Sequence, residues 1–279
     1  MNVYFSIQKW EERFLKKPSG KIVLFLIGML ALAPRAVQAD EIKLNWLVDG
    51  PLLAGGIILA GVGEFVLPHL SPPFGSLGPA DISQVNAFDR AIMFPYSHPI
   101  DLASTVLEYS TAGLPLVFAL AFDSKDILPL GVVYLESISL ALAAKNLLNY
   151  FIPRYRPYVY EGGAPGVDPV ENDLSFPSGH STIVFAAATA GVTLYAIYAP
   201  DSPYFVPFVV GSYALAATTA TLRVFAGMHF TTDVLTGAVI GSAFGFLVPY
   251  LHQRISSRQG DIGFRMDVGI NEISLGYAY

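Results

Sequence analysis

The sequence of 279 residues contains no cysteine and little charge. The absence of cysteine excludes disulfides, thiolate metal sites and cysteine nucleophiles. Only 14% of the residues are charged and 53% are hydrophobic, whereas soluble domains average roughly 25% charged residues. The formal net charge of −6 leaves no basic stripe to neutralise nucleic-acid phosphates. The composition therefore indicates one integral membrane domain and argues against nucleic acid as a partner.

The beginning of the chain has the pattern of an export signal. Several lysines precede an apolar run at 22–33, and small residues at 37–39 offer a cleavage point. The run is shorter than the about 20 residues that a membrane-spanning helix needs. We interpret residues 1–39 as a signal peptide, with an uncleaved N-terminal anchor as the alternative.

Apolar runs separated by polar breaks follow, and they predict a helical membrane domain over residues 40–252. The breaks at 123–126 and 199–203 hold only turns, so we expect the helices that they join to be antiparallel neighbours. The predicted fold class is all-α, a polytopic membrane bundle of about six helices. The predicted helices cover residues 51–67, 101–122, 127–152, 180–199, 204–226 and 230–252.

Two longer connections interrupt the bundle, at 68–100 and 153–179. In the first, apolar residues recur at helical spacing from Ile82 to Ile92 after Asp81, which predicts a short amphipathic helix, either at the membrane interface or packed on the bundle. The second is predicted to be a solvated loop without a catalytic part, although it contains four acidic residues: Glu161, Asp168, Glu171 and Asp173.

The C-terminal tail, residues 253–279, alternates apolar and polar residues over 262–270 and again over 273–279. This period predicts a two-stranded β-hairpin. A single hairpin is marginal in water and cannot close a barrel, so we expect it to pack on a surface or on a partner.

Polar residues suited to phosphate chemistry stand at the ends of the predicted helices. Arg156 follows the third apolar run, His180 begins the fourth, and Arg223 and His229 lie between the fifth and sixth. Antiparallel packing brings these ends to one membrane face. Guanidinium groups and a helix N-terminus can hold an oxyanion, while one imidazole attacks phosphorus and another protonates the leaving oxygen. The pattern predicts a metal-free phosphoryl-transfer site without a cofactor.

Three further residues fit this site. Asp233 lies four positions after His229, one helical turn away, so its carboxylate can hold one imidazole nitrogen and fix the tautomer. The Ser178 hydroxyl can donate to an oxyanion, and Gly179 lets the backbone approach it closely. Taken singly, these residues have structural alternatives. Arg223 could extend its side chain to the membrane interface, and the His–Asp pair could be a structural hydrogen bond. Three other histidines lack such neighbours and are interpreted as interfacial or loop residues: His69, His98 and His252.

The motifs Arg156-Pro157, 177–180 and Arg223 with His229 and Asp233 resemble the three-part signature of the type 2 phosphatidic acid phosphatase superfamily, which includes vanadium haloperoxidases. The resemblance covers about 145–235 by motif. It implies hydrolysis of a phosphate monoester or diphosphate through a phosphohistidine. It also implies roles for each residue: His229 as nucleophile, Asp233 as its orienting partner, His180 as general acid, and Arg156, Arg223, Ser178 and Gly179 as the phosphate cradle.

The sequence departs from that signature in two places. The family lysine before the first motif is replaced by Asn149, and Lys145 lies one turn earlier on the same face. We predict that Lys145 contacts the phosphate, with an ion pair to Glu136 as the alternative. The family serine before Arg223 is replaced by Leu222, with Thr221 close by.

The side of the membrane that carries the site follows from a count of spans. A cleaved signal followed by six spans places the site in the cytoplasm. An outward site requires that 51–67 does not cross, or that it crosses while 22–33 does not. Positive residues favour the outward site, as does the resemblance, so we predict a site facing the periplasm or exterior. The opposite face carries Lys43, Lys125, Arg254, Arg258 and Arg265, against Arg90, Arg154 and Arg156 on the site face.

Three functions agree with these features. The leading hypothesis is a membrane phosphatase of a phospholipid or polyprenyl phosphate, because helices in the bilayer let a lipid head group enter sideways. A vanadium-dependent haloperoxidase is the second enzyme hypothesis. A lipid-binding or transport protein is the third, with Glu108, Glu136 and Lys145 forming a polar pathway.

Overall fold

The computed structural model describes residues 42–70, 77–119, 122–258, 263–268 and 273–278. The predicted signal peptide at 1–39 lies outside the described residues. The described helices are α1 Trp46–Phe65, α2 Ala87–Arg90, α3 His98–Ala119, α4 Ser124–Phe151, α5 Pro157–Tyr160, α6 Gly179–Tyr198, α7 Phe205–Phe225 and α8 Thr231–Arg258. Short 3₁₀ turns cover Leu67–His69, Ile82–Gln84 and Pro169–Glu171, and two strands follow, β1 Gly263–Val268 and β2 Ile273–Ala278.

Six of these helices are long and form the predicted membrane bundle, which confirms the all-α fold class. Within the described residues, five of them are long and apolar enough to cross a membrane, namely α1, α4, α6, α7 and α8. The sixth, α3, carries Asp101 and Glu108 among its apolar residues. Large apolar side chains are exposed along the outside of the bundle, for example Ile58, Val206 and Val239. A bundle that is apolar on its outer surface is suited to lipid, and the protein is an integral membrane protein.

Helix α1 begins earlier than the predicted residue 51, because two polar side chains cap its first turn. Asn45 accepts a hydrogen bond from the Leu47 N–H at 3.1 Å, and Asp49 accepts one from the Asn45 N–H at 2.6 Å. Such reciprocal side-chain bonds satisfy N–H groups that the helix itself cannot use. Helix α1 thus begins near Asp49 at one end of the bundle and reaches Glu64 at the other end.

Helix α6 is the centre of the bundle and packs on α3, α4, α7 and α8. Its closest partner is α8, where Gly237, Gly241 and Gly245 repeat every fourth residue. A Cβ atom on Gly241 would lie 2.3 Å from the Thr182 carbonyl oxygen, so the two backbones touch directly. The predicted neighbours α6 and α7 do pack together. Helices α3 and α4 meet at few positions, because α3 packs mainly on α7 and α6.

The predicted amphipathic helix after Asp81 is two shorter pieces. Asp81 caps the 3₁₀ turn Ile82–Gln84, and Asn86 then starts α2 by accepting from the Asp89 N–H at 3.0 Å. Asp89 is fully buried. The prediction of one continuous helix was wrong, and the segment is anchored to the bundle through this carboxylate.

The alternating tail residues form two antiparallel strands. β1 pairs with β2 in a register that places Gly263 opposite Ala278 and Val268 opposite Ile273. This is the pairing that the two alternating segments predict.

Candidate active site

A cavity of about 510 Å³ lies among α1, α3, α4, α6 and α7 and the connections at one end of the bundle. Its wall contains six of the eight predicted site residues: Lys145, Arg156, Gly179, His180, Arg223 and His229. The other two, Ser178 and Asp233, are buried but are not part of this wall. Three segments that are distant in sequence therefore surround one space.

The tautomer of His229 follows from its two hydrogen-bond partners. Nδ1 lies 2.8 Å from the Ser175 carbonyl oxygen, which can only accept, so Nδ1 carries the proton. Nε2 lies 3.1 Å from Arg156 NH1, which can only donate, so Nε2 presents a lone pair. Burial, together with the charges of Arg156 and Arg223, lowers the pKa of His229 well below its ordinary value of 6.5. His229 is therefore a neutral imidazole with an unprotonated nitrogen.

Asp233 does not hold His229 in the way that the sequence predicted. Its Oδ2 lies 3.9 Å from Nδ1, because the Ser175 carbonyl occupies the hydrogen-bonding position. Oδ2 instead accepts from the Ser175 hydroxyl at 2.6 Å and from the Phe230 N–H at 2.8 Å. Asp233 thus fixes Ser175, and Ser175 fixes the imidazole.

Arg154, which the sequence analysis left without a role, pairs with two buried carboxylates. Its NH1 donates to Asp233 Oδ1 at 2.5 Å and its NH2 donates to Asp89 Oδ2 at 2.7 Å. Asp89 also accepts from the Thr232 hydroxyl at 2.6 Å. Burial acts to raise the pKa of Asp89, but the hydrogen bonds from Thr232 and Arg154 outweigh it and lower that pKa. The guanidinium links α2 to the start of α8 behind His229.

His180 is held by two groups on α3. Its Nε2 lies 3.1 Å from Glu108 Oε2 and 3.1 Å from the Thr105 hydroxyl oxygen. The Thr105 hydroxyl donates to the Asp101 carbonyl, so its oxygen accepts from His180. Nε2 therefore carries a proton, and Nδ1 is the nitrogen that can gain or lose one.

Arg156 connects the cavity to the loop that the sequence analysis interpreted as merely solvated. Its Nε donates to the Glu171 carbonyl at 2.8 Å, and its NH2 donates to Glu171 Oε2 at 3.0 Å. Glu171 also lines the cavity. The prediction of a merely solvated loop was wrong for Glu171, which orients the guanidinium beside His229.

Arg223 is almost fully buried and is held from α3. Its NH1 donates to Asp101 Oδ1 and, at 2.9 Å, to the Ser104 hydroxyl. Its Nε has no hydrogen-bond partner among the described residues. Arg223 is therefore a fixed cation with a donor to spare. Thr221, considered as a replacement donor for the family serine, is exposed and donates to the Ala217 carbonyl instead.

The first turn of α6 forms another part of the wall. The helix begins at Gly179, so the N–H groups of Gly179 and His180 are among those that a helix cannot use internally. Ser178 caps the helix: its Oγ accepts from the Ser181 N–H at 3.4 Å. The predicted direct contact between the Ser178 hydroxyl and an anion is not supported by this buried position. The α6 N-terminus supplies backbone donors and a favourable dipole instead.

Lys145 reaches the cavity and does not pair with Glu136. Its Nζ donates to Asn146 Oδ1 at 2.8 Å and lies 3.8 Å from Glu64 Oε2. A Cβ atom on Gly179 would be 3.3 Å from that Nζ, which places the ammonium beside the α6 N-terminus. Asn149, at the family lysine position, donates to the Phe176 carbonyl at 2.6 Å and so positions the chain before α6.

The sequence contained a signal for the α3 residues that the prediction missed. Asp101, Ser104, Thr105 and Glu108 recur at intervals of three and four along an otherwise apolar helix, so they share one face. A polar stripe on a membrane helix indicates a functional lining. Of the three histidines interpreted as interfacial or loop residues, His69 is exposed in the turn after α1 and lines the cavity. His252 differs from that prediction, because it is buried against Asp49 and Glu136.

Comparison with known proteins agrees with the motifs. The model of the PAP2 superfamily matches residues 130–257. A PA-phosphatase related-family protein from Dictyostelium discoideum is 24% identical over 74% of this chain and 79% of its own length. Undecaprenyl-diphosphatase from Sulfolobus acidocaldarius is 29% identical over 47% of this chain and 59% of its own length. Phosphatidylglycerophosphatase B from Bacillus subtilis is 33% identical over 42% of this chain and 57% of its own length.

Residues 130–257 match the PAP2 superfamily, which confirms the resemblance that the three motifs of this segment predict. The match spans less than two thirds of the length of the second and third of these relatives.

Proposed function

We propose that this protein hydrolyses a lipid phosphate monoester or diphosphate through a phosphohistidine on His229. The observation that carries the proposal is the His229 imidazole, neutral and with its Nε2 lone pair beside Arg156 on the wall of the cavity. When a phosphate binds, the Arg156 guanidinium can donate to a phosphoryl oxygen instead, which frees the Nε2 lone pair to attack phosphorus.

The first step forms a bond between His229 Nε2 and phosphorus and breaks the bond to the leaving oxygen. His180 Nδ1 donates the proton that this oxygen needs, while Glu108 and Thr105 hold the ring at Nε2. In the second step, His180 takes a proton from water, the water oxygen attacks phosphorus, and the phosphohistidine releases inorganic phosphate. The proton and the imidazole return to their starting positions.

Positive charge for the phosphoryl oxygens comes from Arg156, Arg223 and Lys145, with the backbone N–H groups at the start of α6. Each well-placed donor of this kind can contribute on the order of 3 kcal/mol to the transition state. Among the described residues, the group of His, Asp and Glu side chains spaced for a metal ion lies outside this cavity. Because Arg156, Arg223 and Lys145 can neutralise the phosphate, we propose a metal-independent reaction.

A lipid substrate is favoured by the apolar side chains next to the polar wall. Phe65 and Tyr109 line the cavity and are 75% and 73% exposed, respectively. Exposed apolar residues on this scale face hydrocarbon in a membrane protein. A head group can thus lie against the arginines while its tails remain in the bilayer. The undecaprenyl-diphosphatase and phosphatidylglycerophosphatase relatives suggest the two substrate classes to test first.

The transport hypothesis is less well supported by the geometry. Glu108 contacts His180, Lys145 contacts Asn146, and Glu136 lies with His252 in a different part of the bundle. These residues do not form one polar pathway. A haloperoxidase would use the same cradle for vanadate, so halide oxidation in the presence of vanadate separates that hypothesis from hydrolysis.

The test is phosphate release by the purified protein in detergent, with phosphatidate, phosphatidylglycerol phosphate and a polyprenyl diphosphate as substrates. We expect release from at least one lipid, and a fall of at least about 10³-fold in His229→Ala. His98→Ala is the control, because His98 is exposed and does not line the cavity. Equal rates in wild type and His229→Ala would overturn the proposal.

We also propose that the cavity faces the periplasm or exterior. Helix α1 begins at the end of the bundle opposite the cavity. An outward cavity therefore requires α1 to begin in the cytoplasm, whereas cleavage of a signal before α1 would place its beginning outside. The positive residues at that opposite end, Lys43, Lys125 and Arg254, favour a cytoplasmic start.

Labelling decides the orientation, because the chain has no cysteine of its own. A cysteine replacing Asp168 on the cavity face should react with an impermeant reagent in intact cells, and one replacing Asp201 on the opposite face should react only after lysis. The reverse pattern would contradict the outward site.

A further inference from the structure

A second group of polar side chains lies far from the catalytic cavity. Asp49 of α1, Glu136 of α4 and His252 of α8 each offer one ligand atom, and these atoms all lie within 4.8 Å of one another. His252 is nineteen residues after Asp233 on the same helix, which corresponds to about 28 Å along the axis. The group therefore belongs to the other half of the bundle and has no part in the phosphatase chemistry above.

The hydrogen bonds of His252 direct a lone pair towards two carboxylates. Its Nδ1 lies 2.9 Å from the Val248 carbonyl oxygen, which can only accept, so Nδ1 carries the proton. Its Nε2 lies 3.3 Å from Asp49 Oδ1 and 3.2 Å from Glu136 Oε2. In the neutral imidazole, three acceptor atoms thus face one another with no donor between them.

Glu136 is the most demanding member of the group. Its side chain is fully buried, and neither carboxylate oxygen has a hydrogen bond of good geometry among the described residues. The contact of Oε2 with His252 is close enough for an ion pair but is poorly aligned as a hydrogen bond. A buried carboxylate without partners is costly, so this position requires a compensating positive charge.

A proton on His252 would supply only part of that compensation. The imidazolium has one N–H at Nε2 to share between Asp49 and Glu136, and it leaves the group with a net charge of about −1 in a low-dielectric setting. Asp49 already uses its second oxygen to accept from the Asn45 N–H at 2.6 Å. Glu136 Oε1 still has no partner. A divalent cation neutralises both carboxylates and uses all three lone pairs.

We propose that Asp49, Glu136 and His252 form a binding site for a divalent transition-metal ion of the Zn²⁺ class, which joins α1, α4 and α8. Ligands at about 2.05 Å around a tetrahedral ion lie about 3.4 Å apart, close to the two separations observed. The imidazole N–H bound to a backbone carbonyl is the usual support of a metal-binding histidine. One nitrogen and two carboxylates suit Zn²⁺ better than Mg²⁺ or Ca²⁺, which prefer oxygen alone.

The role that follows is structural. Helix α1 packs mainly on α4, and it contributes Gly61 and Glu64 to the wall of the cavity. A metal ion between α1 and α8 would tie this helix to the core of the bundle at its far end. Binding of the ion to the folded state alone raises stability by mass action.

The test begins with the full chain purified without added metal, then stripped with a chelator and dialysed. We expect about one Zn²⁺ per chain to rebind, as measured by elemental analysis, and the thermal midpoint to rise saturably with Zn²⁺ concentration. Magnesium at the same concentration should give no such rise. Because this comparison uses the unaltered chain, it does not depend on whether a variant folds.

Two variants locate the ion. Glu136→Gln and His252→Gln should lose at least about tenfold in Zn²⁺ affinity and should lose the Zn²⁺-dependent rise in midpoint. Asp201→Asn removes an exposed carboxylate at the same end of the bundle and should behave like wild type.

Two results would overturn the proposal: no rise in the midpoint of the stripped wild-type protein, or Zn²⁺ bound equally by Glu136→Gln and wild type. Neither result would affect the assignment of His229, since these measurements do not use turnover.

Discussion

Replacing Arg154 by methionine should weaken the fold and the catalytic site together. The guanidinium pairs with Asp89 and Asp233, and both carboxylates are fully buried. Removing one partner of a buried ion pair costs about 3–5 kcal/mol, because the remaining charge is left uncompensated. The Arg154 side chain is 22% exposed, so water can reach part of the site, and we expect the lower end, about 3 kcal/mol.

That loss corresponds to a fall in the thermal midpoint of about 6–12 °C, taking about 2–4 °C per kcal/mol for a chain of this size. Turnover should fall at least about tenfold as well, because Asp233 holds Ser175, whose carbonyl orients His229. The assay is thermal unfolding of the protein in detergent, followed by phosphate release at a temperature where the variant is folded.

The matched control is Arg90→Met, which makes the same substitution at an exposed arginine next to Asp89. Adding Asp89→Asn to Arg154→Met should recover part of the lost stability, because it removes one of the two unpaired charges. A midpoint and a turnover in Arg154→Met that both equal those of Arg90→Met would refute the reasoning.

Three further predictions concern the cavity, the helix packing and the pH profile. Lys145→Met should lower kcat/KM about tenfold or more, the loss of one charge-assisted hydrogen bond, and unchanged turnover would remove Lys145 from the phosphate site. Gly241→Ala should destabilise the bundle by about 1–3 kcal/mol, because its Cβ would lie 2.3 Å from the Thr182 carbonyl, whereas Gly211→Ala, with no atom within 4 Å, should not. His229 must be neutral to attack phosphorus, and its pKa is lowered from 6.5. The loss of kcat/KM caused by its protonation should therefore begin below pH 6.5 as the pH falls. A loss centred above pH 6.5 and assigned to His229 by its chemical shift would contradict this prediction.

The sequence was sufficient to predict the bundle and the six site residues that line the cavity. Long apolar runs with short breaks determine both the number of long helices and which ends lie together, and the residues at those ends, such as Arg156, His180 and His229, therefore had to meet. The motif spacing then indicated their chemistry.

What the sequence did not reveal depends on contacts between segments that have no fixed spacing. The spacing of four residues between His229 and Asp233 suggested a hydrogen bond between their side chains. The backbone carbonyl of Ser175 instead binds the His229 Nδ1. No sequence pattern shows which backbone carbonyl will accept a hydrogen bond from a histidine. Asp89 and Glu171 lie in connections, where the composition of a solvated loop and that of an anchored loop are alike.

The role of His252 could not be predicted from the sequence either. As a single histidine near a helix end it resembles an interfacial residue, and its partners Asp49 and Glu136 are more than a hundred residues away in sequence. Only the packing of α1 and α8 against α4 brings the three together.

The central claim, that His229 forms a covalent bond to phosphorus, is tested most directly by the stereochemical course of the reaction. The substrate is a lipid thiophosphate made chiral at phosphorus with oxygen isotopes, and it is hydrolysed in isotopically labelled water. Two successive in-line displacements, first by His229 and then by water, predict overall retention of configuration. Overall inversion would mean that water attacks the substrate directly, and it would contradict the phosphohistidine mechanism.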